Sequence, residues 1–255
     1  MKKHLSFLIF ALILFLMPIS VRADGGIYNW FCVHRKDHLQ PEIDKTIAFI
    51  ENYNAYYIDK KHGDKCEEKV IYLTFDAGYE NGNVKKILEI LNDEKVIGAF
   101  FVLGHFIEAN QDLVSEMFRN GHLVCNHTFS HKSMAGKSEI EFAHELNMLE
   151  KTCLEKTGKE LSKYYRPPEG KFDETSLQYA QKMGYKTIFW SFAYADWDNN
   201  AQMSPENAKR KILDNIHNGE IMLLHPTSAT NAQILGEVIR ELKEQGYRFG
   251  SLDEL

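Results

Sequence analysis

The 255-residue chain reads as an α/β protein, a deformed (β/α) barrel with about seven parallel strands. Three observations predict this. From Val70 to the end, short apolar runs alternate with amphipathic ones, the rhythm of parallel βαβ units. The apolar runs number seven in about 185 residues, too many for a small flavodoxin-like sheet and slightly too few for eight full barrel units. A polar or charged residue stands at or soon after the carboxyl end of five of those runs, on the face where parallel barrels build their active sites.

The elements follow in order. Lys2, Lys3 and His4 precede an apolar run from Leu5 to Ile19, and Val21-Arg22-Ala23 offers small residues for a peptidase. Residues 1–23 are therefore expected to be a secretory signal peptide, which implies export across the cytoplasmic membrane. The run is short and holds Pro18, which disfavours a retained anchor. Residues 24–69 are mixed and polar. They read as an N-terminal arm packed on the main domain, with one amphipathic helix over 41–52 carrying Ile43, Ile47, Phe49 and Ile50. Residues 70–255 are expected to form the main domain. Its expected strands are 70–75, 97–103, 122–126, 163–166, 185–191, 220–224 and 247–252. Helical stripes cover 84–95, 106–120 and 140–156. Ser204-Pro205-Glu206 starts a further helix with a cap, a first-turn proline and an acid, and Asn218-Gly219 is expected to close it.

Composition excludes some functions. Loss of residues 1–23 leaves 27 basic residues against 36 acidic ones, a net charge of −9. That disfavours nucleic acid and anionic lipid as partners. Cys32, Cys66, Cys125 and Cys153 lack zinc-finger spacing. Cys32 and Cys66 are the pair to bridge if an exported chain forms a disulfide. Cys125 and Cys153 fall in elements where a buried free thiol is common.

The chemistry gathers at the strand ends. Asp76 ends the buried run Val70–Phe75, with Gly78 to turn the chain; an acid there needs a partner or a task, although Asp-Gly is also an ordinary turn. His127 and His131 follow the third strand four residues apart, a spacing for metal chelation on a helix face or in a tight loop. With Asp76 on the same rim, two imidazoles and a carboxylate suit zinc or a similar divalent ion. Arg166, stiffened by Pro167 and Pro168, could orient Asp76 bidentately. The Glu169-Gly170 turn could aim a backbone N–H at an oxyanion. Trp197 offers a flat apolar wall, and His225 could act as a general acid with Asp196 on its other nitrogen. Each of these also has a plain structural reading, as a salt bridge, core packing or a satisfied histidine. Their convergence on one rim favours the chemical one.

Thr74-Phe75-Asp76-x-Gly78, His127-Thr128-x-x-His131, Arg166-x-Pro168-x-Gly170, Asp196-Trp197 and Leu223-x-His225 resemble the five ordered motifs of the polysaccharide deacetylases, the NodB homology or carbohydrate esterase 4-like family. They span residues 70–252. Phe75-Asp76-x-Gly78-Tyr79-Glu80-Asn81-Gly82, Gly104-His105-Phe106 and the closing Gly246–Asp253 stretch are most similar to its δ-lactam-biosynthetic branch. The resemblance implies a deformed (β/α) barrel and a zinc-type divalent ion. It also implies removal of the N-acetyl group from N-acetylmuramic acid in a peptidoglycan glycan strand, leading to the muramic δ-lactam of spore cortex. It makes Asp76 the base that activates water and His127 and His131 the metal ligands. The Glu169 N–H becomes the oxyanion donor, and Arg166 the group that orients Asp76. Trp197 and Leu223 flank the acetyl methyl, Tyr79 faces the substrate, and His225, with Asp196 behind it, protonates the leaving amine. One departure stands out: the wider family has a second Asp, a metal ligand, where this chain has Ala77. The ion would then rest on two histidines and water, or Asp76 would itself become a ligand; Glu80 and Asn81 could substitute or simply order the turn. Two other readings remain at this stage. One is a deacetylase of N-acetylglucosamine in peptidoglycan or chitin; the other is an inactive glycan-binding module. The chain is expected to be monomeric.

Overall fold

The computed structural model describes residues 26–255, so the signal segment lies outside the described residues. In chain order the strands are β1 (Tyr28–Asn29), β2 (Ala55–Tyr56), β3 (Lys69–Ala77), β4 (Gly98–Val102), β5 (Leu123–Asn126), β6 (Ser162–Tyr165), β7 (Lys171–Phe172), β8 (Lys186–Ile188), β9 (Glu220–Leu224) and β10 (Tyr247–Phe249). The α-helices are α1 (Asn83–Asp93), α2 (Gly104–Ala109), α3 (Gln111–Arg119), α4 (Glu139–Thr157), α5 (Glu174–Lys182), α6 (Pro205–Leu213) and α7 (Ala229–Glu244). Among the described residues no helix is long and apolar enough to cross a membrane.

All seven expected strands are present and parallel, in the order β10-β3-β4-β5-β6-β8, with β9 on β3. The sheet curls into a barrel-like wall. Its seam is narrowed by a parallel bridge between Phe192 and Met222, where the chain beyond β8 meets β9. An eighth strand, β2, comes from the arm and pairs with β8. Pattern reading misses it because two residues carry no period.

The alternation of β3 separates two cores. Val70 and Tyr72 face inward and join Ala99, Phe101, Cys125, Ile188 and Ile221 in an apolar plug. Ile71, Leu73, Phe75 and Ala77 face outward onto α1 and α7. Thr74 and Asp76 continue the inward row, so the same period that fills the barrel delivers a carboxylate to its rim. A third cluster belongs largely to the arm: Trp30, Ile47, Ile50, Ala55, Tyr57 and Ile58 pack on Phe172, Leu177 and Phe189.

Several expectations need correction. No α-helix forms over 41–52; only a 3-10 turn occupies Ala48–Tyr53. The Asp44 carboxylate accepts hydrogen bonds from the Thr46 N–H and hydroxyl at 2.8 and 2.7 Å, an Asx turn that competes with helix. The expected helix over 106–120 breaks into α2 and α3 at Asn110, whose side chain donates to the Phe106 carbonyl. The helix after Ser204 ends at Leu213, well before Asn218-Gly219. Those two residues instead lead into β9: Asn218 Oδ1 accepts the Val70 N–H at 2.8 Å, and Gly219 has φ of 69°. Helices α5 and α7 were not anticipated. Asp173 caps α5 through a capping box and Ser228 caps α7. All four cysteines are free thiols, Cys32 and Cys66 included.

Candidate active site

Asp76, His127, Arg166 and the Asp196–His225 couple meet at the carboxyl ends of β3, β5, β6, β8 and β9. Arg166 is the anchor. Its guanidinium is fully buried above the Phe101 ring, 4.1 Å from the centroid, at the top of the apolar plug. A buried charge requires partners, and this one has them. Nε donates to the Ile188 carbonyl at 3.0 Å and Nη2 to the Thr74 hydroxyl at 2.8 Å. Nη1 donates to Asp76 Oδ1 at 2.8 Å. The contact with Asp76 is a single hydrogen bond rather than the expected bidentate pair, because the second nitrogen is taken by Thr74 and Phe189. The motif alone does not signal the Thr74 contact, which follows from the place of Thr74 on the inward row of β3, two residues before Asp76.

The other Asp76 oxygen, Oδ2, lies 3.5 Å from His127 Nε2. Burial alone would raise the Asp76 pKa, but His127, Arg166 and His225 together hold it below the ordinary value, so the group is ionised at neutral pH. His127 is pushed down to about 4, chiefly by burial. It is neutral at pH 7, and its Nδ1–H donates to the Arg166 carbonyl at 2.8 Å. That fixes the tautomer and leaves the Nε2 lone pair free on the side of the site.

His131 stands edge-on to His127 with ring centroids 5.0 Å apart. The pair lies in a tight loop, not on a helix. Thr128 and His131 both have positive φ, 69° and 59°. Asn126 Oδ1 accepts the Thr128 N–H, and Glu145 of α4 accepts both the N–H and the hydroxyl of Ser130. These bonds hold the loop in a conformation that side chains adopt rarely.

The imidazole pair suits a divalent ion by the chemistry of its donors. Among the described residues, however, no group of three His, Cys, Asp or Glu side chains could hold one. Ala77 supplies no donor, and its methyl is buried in the outward apolar layer. Glu80 and Asn81 serve the turn: Glu80 Oε1 accepts the Gly82 N–H and Asn81 donates to the Thr227 carbonyl. The donor chemistry fits an ion that His127 and His131 would hold, with Asp76 Oδ2 3.5 Å from His127 Nε2.

Across the rim, Asp196 accepts from His225 twice, from Nδ1 at 2.7 Å and from the backbone N–H at 2.8 Å. Its Oδ2 also accepts from Asn231 Nδ2 at 2.6 Å. The apolar pattern does not signal Asn231, which α7 brings to the site from six residues beyond His225. Burial would lower the His225 pKa, but the hydrogen bond and charge of Asp196, with Asp76 adding, carry it above the ordinary value. Trp197 is 60% exposed, its ring centroid 6.0 Å from that of His225. Tyr79 is 47% exposed and accepts a hydrogen bond from Asn199 at 2.6 Å, joining the β3 loop to the loop bearing Trp197. Leu223 is buried on β9, in register with Thr74. Glu169 has φ of 57°, followed by Gly170 at 66°, and its side chain pairs outward with Lys171. Only its backbone is free to serve the site.

Barrel fold and polar rim place the chain among barrel-type hydrolases. Comparison with known proteins narrows the class. The polysaccharide deacetylase family model matches residues 63–188. Peptidoglycan-N-acetylmuramic acid deacetylase PdaA of Bacillus subtilis is 39% identical over 228 residues, covering 89% of this chain and 85% of that protein. A peptidoglycan-N-acetylglucosamine deacetylase of Bacillus cereus is 32% identical over 193 residues, covering 74% of this chain and 88% of that protein. The solved structure of Bacillus subtilis PdaA, a family 4 carbohydrate esterase, superposes with a TM-score of 0.84 at 38% identity over 90% of this chain and 96% of that one. The chain belongs to the polysaccharide deacetylase family.

Proposed function

We propose that the protein is an exported, metal-dependent deacetylase that removes the N-acetyl group of N-acetylmuramic acid in peptidoglycan, leading to the muramic δ-lactam of spore cortex. The observation that carries the reading is the pairing of two polar devices on one rim: Asp76 held by Arg166, and His225 held by Asp196. A base and an acid on facing sides of one site are what amide hydrolysis requires. Residues 24–69 act as an arm on the catalytic domain, and export rests on the signal pattern of residues 1–23.

His127 and His131 would hold the ion, zinc or a similar one, which supplies Lewis-acid polarisation of the acetyl carbonyl and acidifies water. Asp76 takes the proton from the attacking water as its oxygen bonds to the carbonyl carbon. Arg166 keeps Asp76 ionised and aimed. The Glu169 N–H donates to the oxygen that gains charge. His225, protonated and steadied by Asp196, delivers its proton to the nitrogen as the C–N bond breaks, giving acetate and a free amine. Trp197 and Leu223 flank the acetyl methyl, and Tyr79 faces the sugar. Similarity to PdaA favours the muramic substrate.

The test is acetate release from peptide-stripped glycan strands, with and without chelator, followed by mass analysis for lactam. Chitooligosaccharides run in parallel distinguish the muramic substrate from N-acetylglucosamine. Glycan binding without acetate release at any added Zn²⁺, Mn²⁺ or Co²⁺ would refute deacetylation and leave a binding module.

A further inference from the structure

The Glu169–Gly170 turn is strained, and the contacts that restrain it come from outside the barrel. Two successive residues in the left-handed region, the first not a glycine, persist only where their surroundings over-determine them. A β-carbon added at Gly170 would come within 2.9 Å of Trp190 and 3.0 Å of the Trp30 β-carbon. The arm therefore lies directly against the turn.

Trp30 makes the decisive contacts. Its backbone N–H donates to the Gly170 carbonyl at 2.8 Å, extending the antiparallel pairing of β1 with β7 by one residue. Its indole Nε1–H donates to the Trp190 carbonyl at 2.9 Å. Its ring stacks on Phe189, with centroids 4.4 Å apart and planes at 20°. The segment it grips also holds Arg166: the carbonyls of Ile188 and Phe189 accept from that guanidinium, and the Trp190 ring lies 5.7 Å from it. One residue thus joins the two: its backbone N–H holds the turn that carries the Glu169 N–H, and its side chain holds the strand end that supports the partner of Asp76.

We propose that Trp30 is a positioning residue for the deacetylation. The arm acts as a clamp that fixes the oxyanion turn and, through residues 188–190, the Arg166–Asp76 pair. This rests on the functional reading above. It predicts a loss confined to the chemical step, because the groups displaced are those that meet developing charge.

Two variants and two measurements test it. Trp30→Phe keeps a stacking ring but loses the indole donor, whereas Trp30→Ala loses both. Acetate release from peptide-stripped glycan is expected to fall about 10-fold or more in kcat for Trp30→Ala and about 3-fold for Trp30→Phe, with KM within about twofold of wild type. Amide hydrogen exchange at 169–171 is expected to accelerate in both variants, while exchange in the β3–β4 core stays protected in Trp30→Phe. Wild-type kcat in Trp30→Ala overturns the proposal. So does unchanged exchange at the turn, even where kcat falls. If wild type releases no acetate from any glycan, the functional reading falls, and the exchange result alone decides whether Trp30 clamps the turn.

Discussion

At the scale of single residues, the site is a set of charges whose ionisation is fixed by their neighbours. Asp76 is kept ionised by Arg166 and His127 is kept neutral by burial. Asp76→Asn keeps the shape and the contact with Arg166 but cannot accept a proton. Acetate release should fall by about 10²–10⁴-fold with little change in glycan binding, measured by initial rates and by pull-down on the same strands. Ala77 makes a different prediction. Because it faces the outer apolar layer, Ala77→Asp buries a carboxylate there. The expected cost is on the order of 3 kcal/mol, read by urea unfolding in chelator. Asp76, His127 and Arg166 were legible in the sequence because each closes an apolar run with a polar or ionisable side chain. Thr74, Asn126 and Asn231 were not legible as supports, because a single polar residue has no period and its partners are remote in sequence.

At the scale of elements, the long strands could be read and the short pieces could not. β3, β4 and β9 are near-continuous apolar runs buried on both faces, and the structure returns them nearly residue for residue. The arm resisted reading because side-chain bonds such as Asp44 to Thr46 replace the backbone periodicity that a helix would show. The stretch before β9 illustrates the same limit. Asn218-Gly219 resembles a helix stop, yet it is a junction where the β3 and β9 strands and the arm meet. A β-carbon at Gly219 would lie 2.4 Å from the Asp59 carbonyl oxygen and 2.7 Å from that of His62. Gly219→Ala should therefore destabilise the fold by about 2–3 kcal/mol, with folded protein that survives retaining its kcat, since the clash is at the end of the barrel away from the site.

At the scale of the whole molecule, buried histidines tie stability to pH. His122 is 4% exposed and pushed down to about 4 by burial. Its Nδ1 accepts the Gly98 N–H at 3.1 Å, so Nε2 carries the proton and faces Asn92 Oδ1 at 3.2 Å. In the unfolded chain the same group titrates near 6.5. The native state thus binds its proton later than the unfolded state does. The contribution is complete above pH 6.5 and is lost as pH falls toward 4, about 3 kcal/mol in all. Denaturant unfolding at pH 7 and pH 4.5 should show this loss, and His122→Gln should shrink the difference between the two.

The arm that clamps the site also orders events during folding. Trp30 reaches the Trp190 carbonyl across 160 residues of chain, and β2 cannot pair until β8 exists. The arm is therefore among the last segments to find its place, since closing so long a loop is entropically unfavourable until the strands are aligned. Until then the apolar patch of Phe172, Leu177 and Phe189 stays open to other chains. A refolding experiment should show Trp30 fluorescence settling after the barrel's secondary structure has formed, with aggregation competing during that interval.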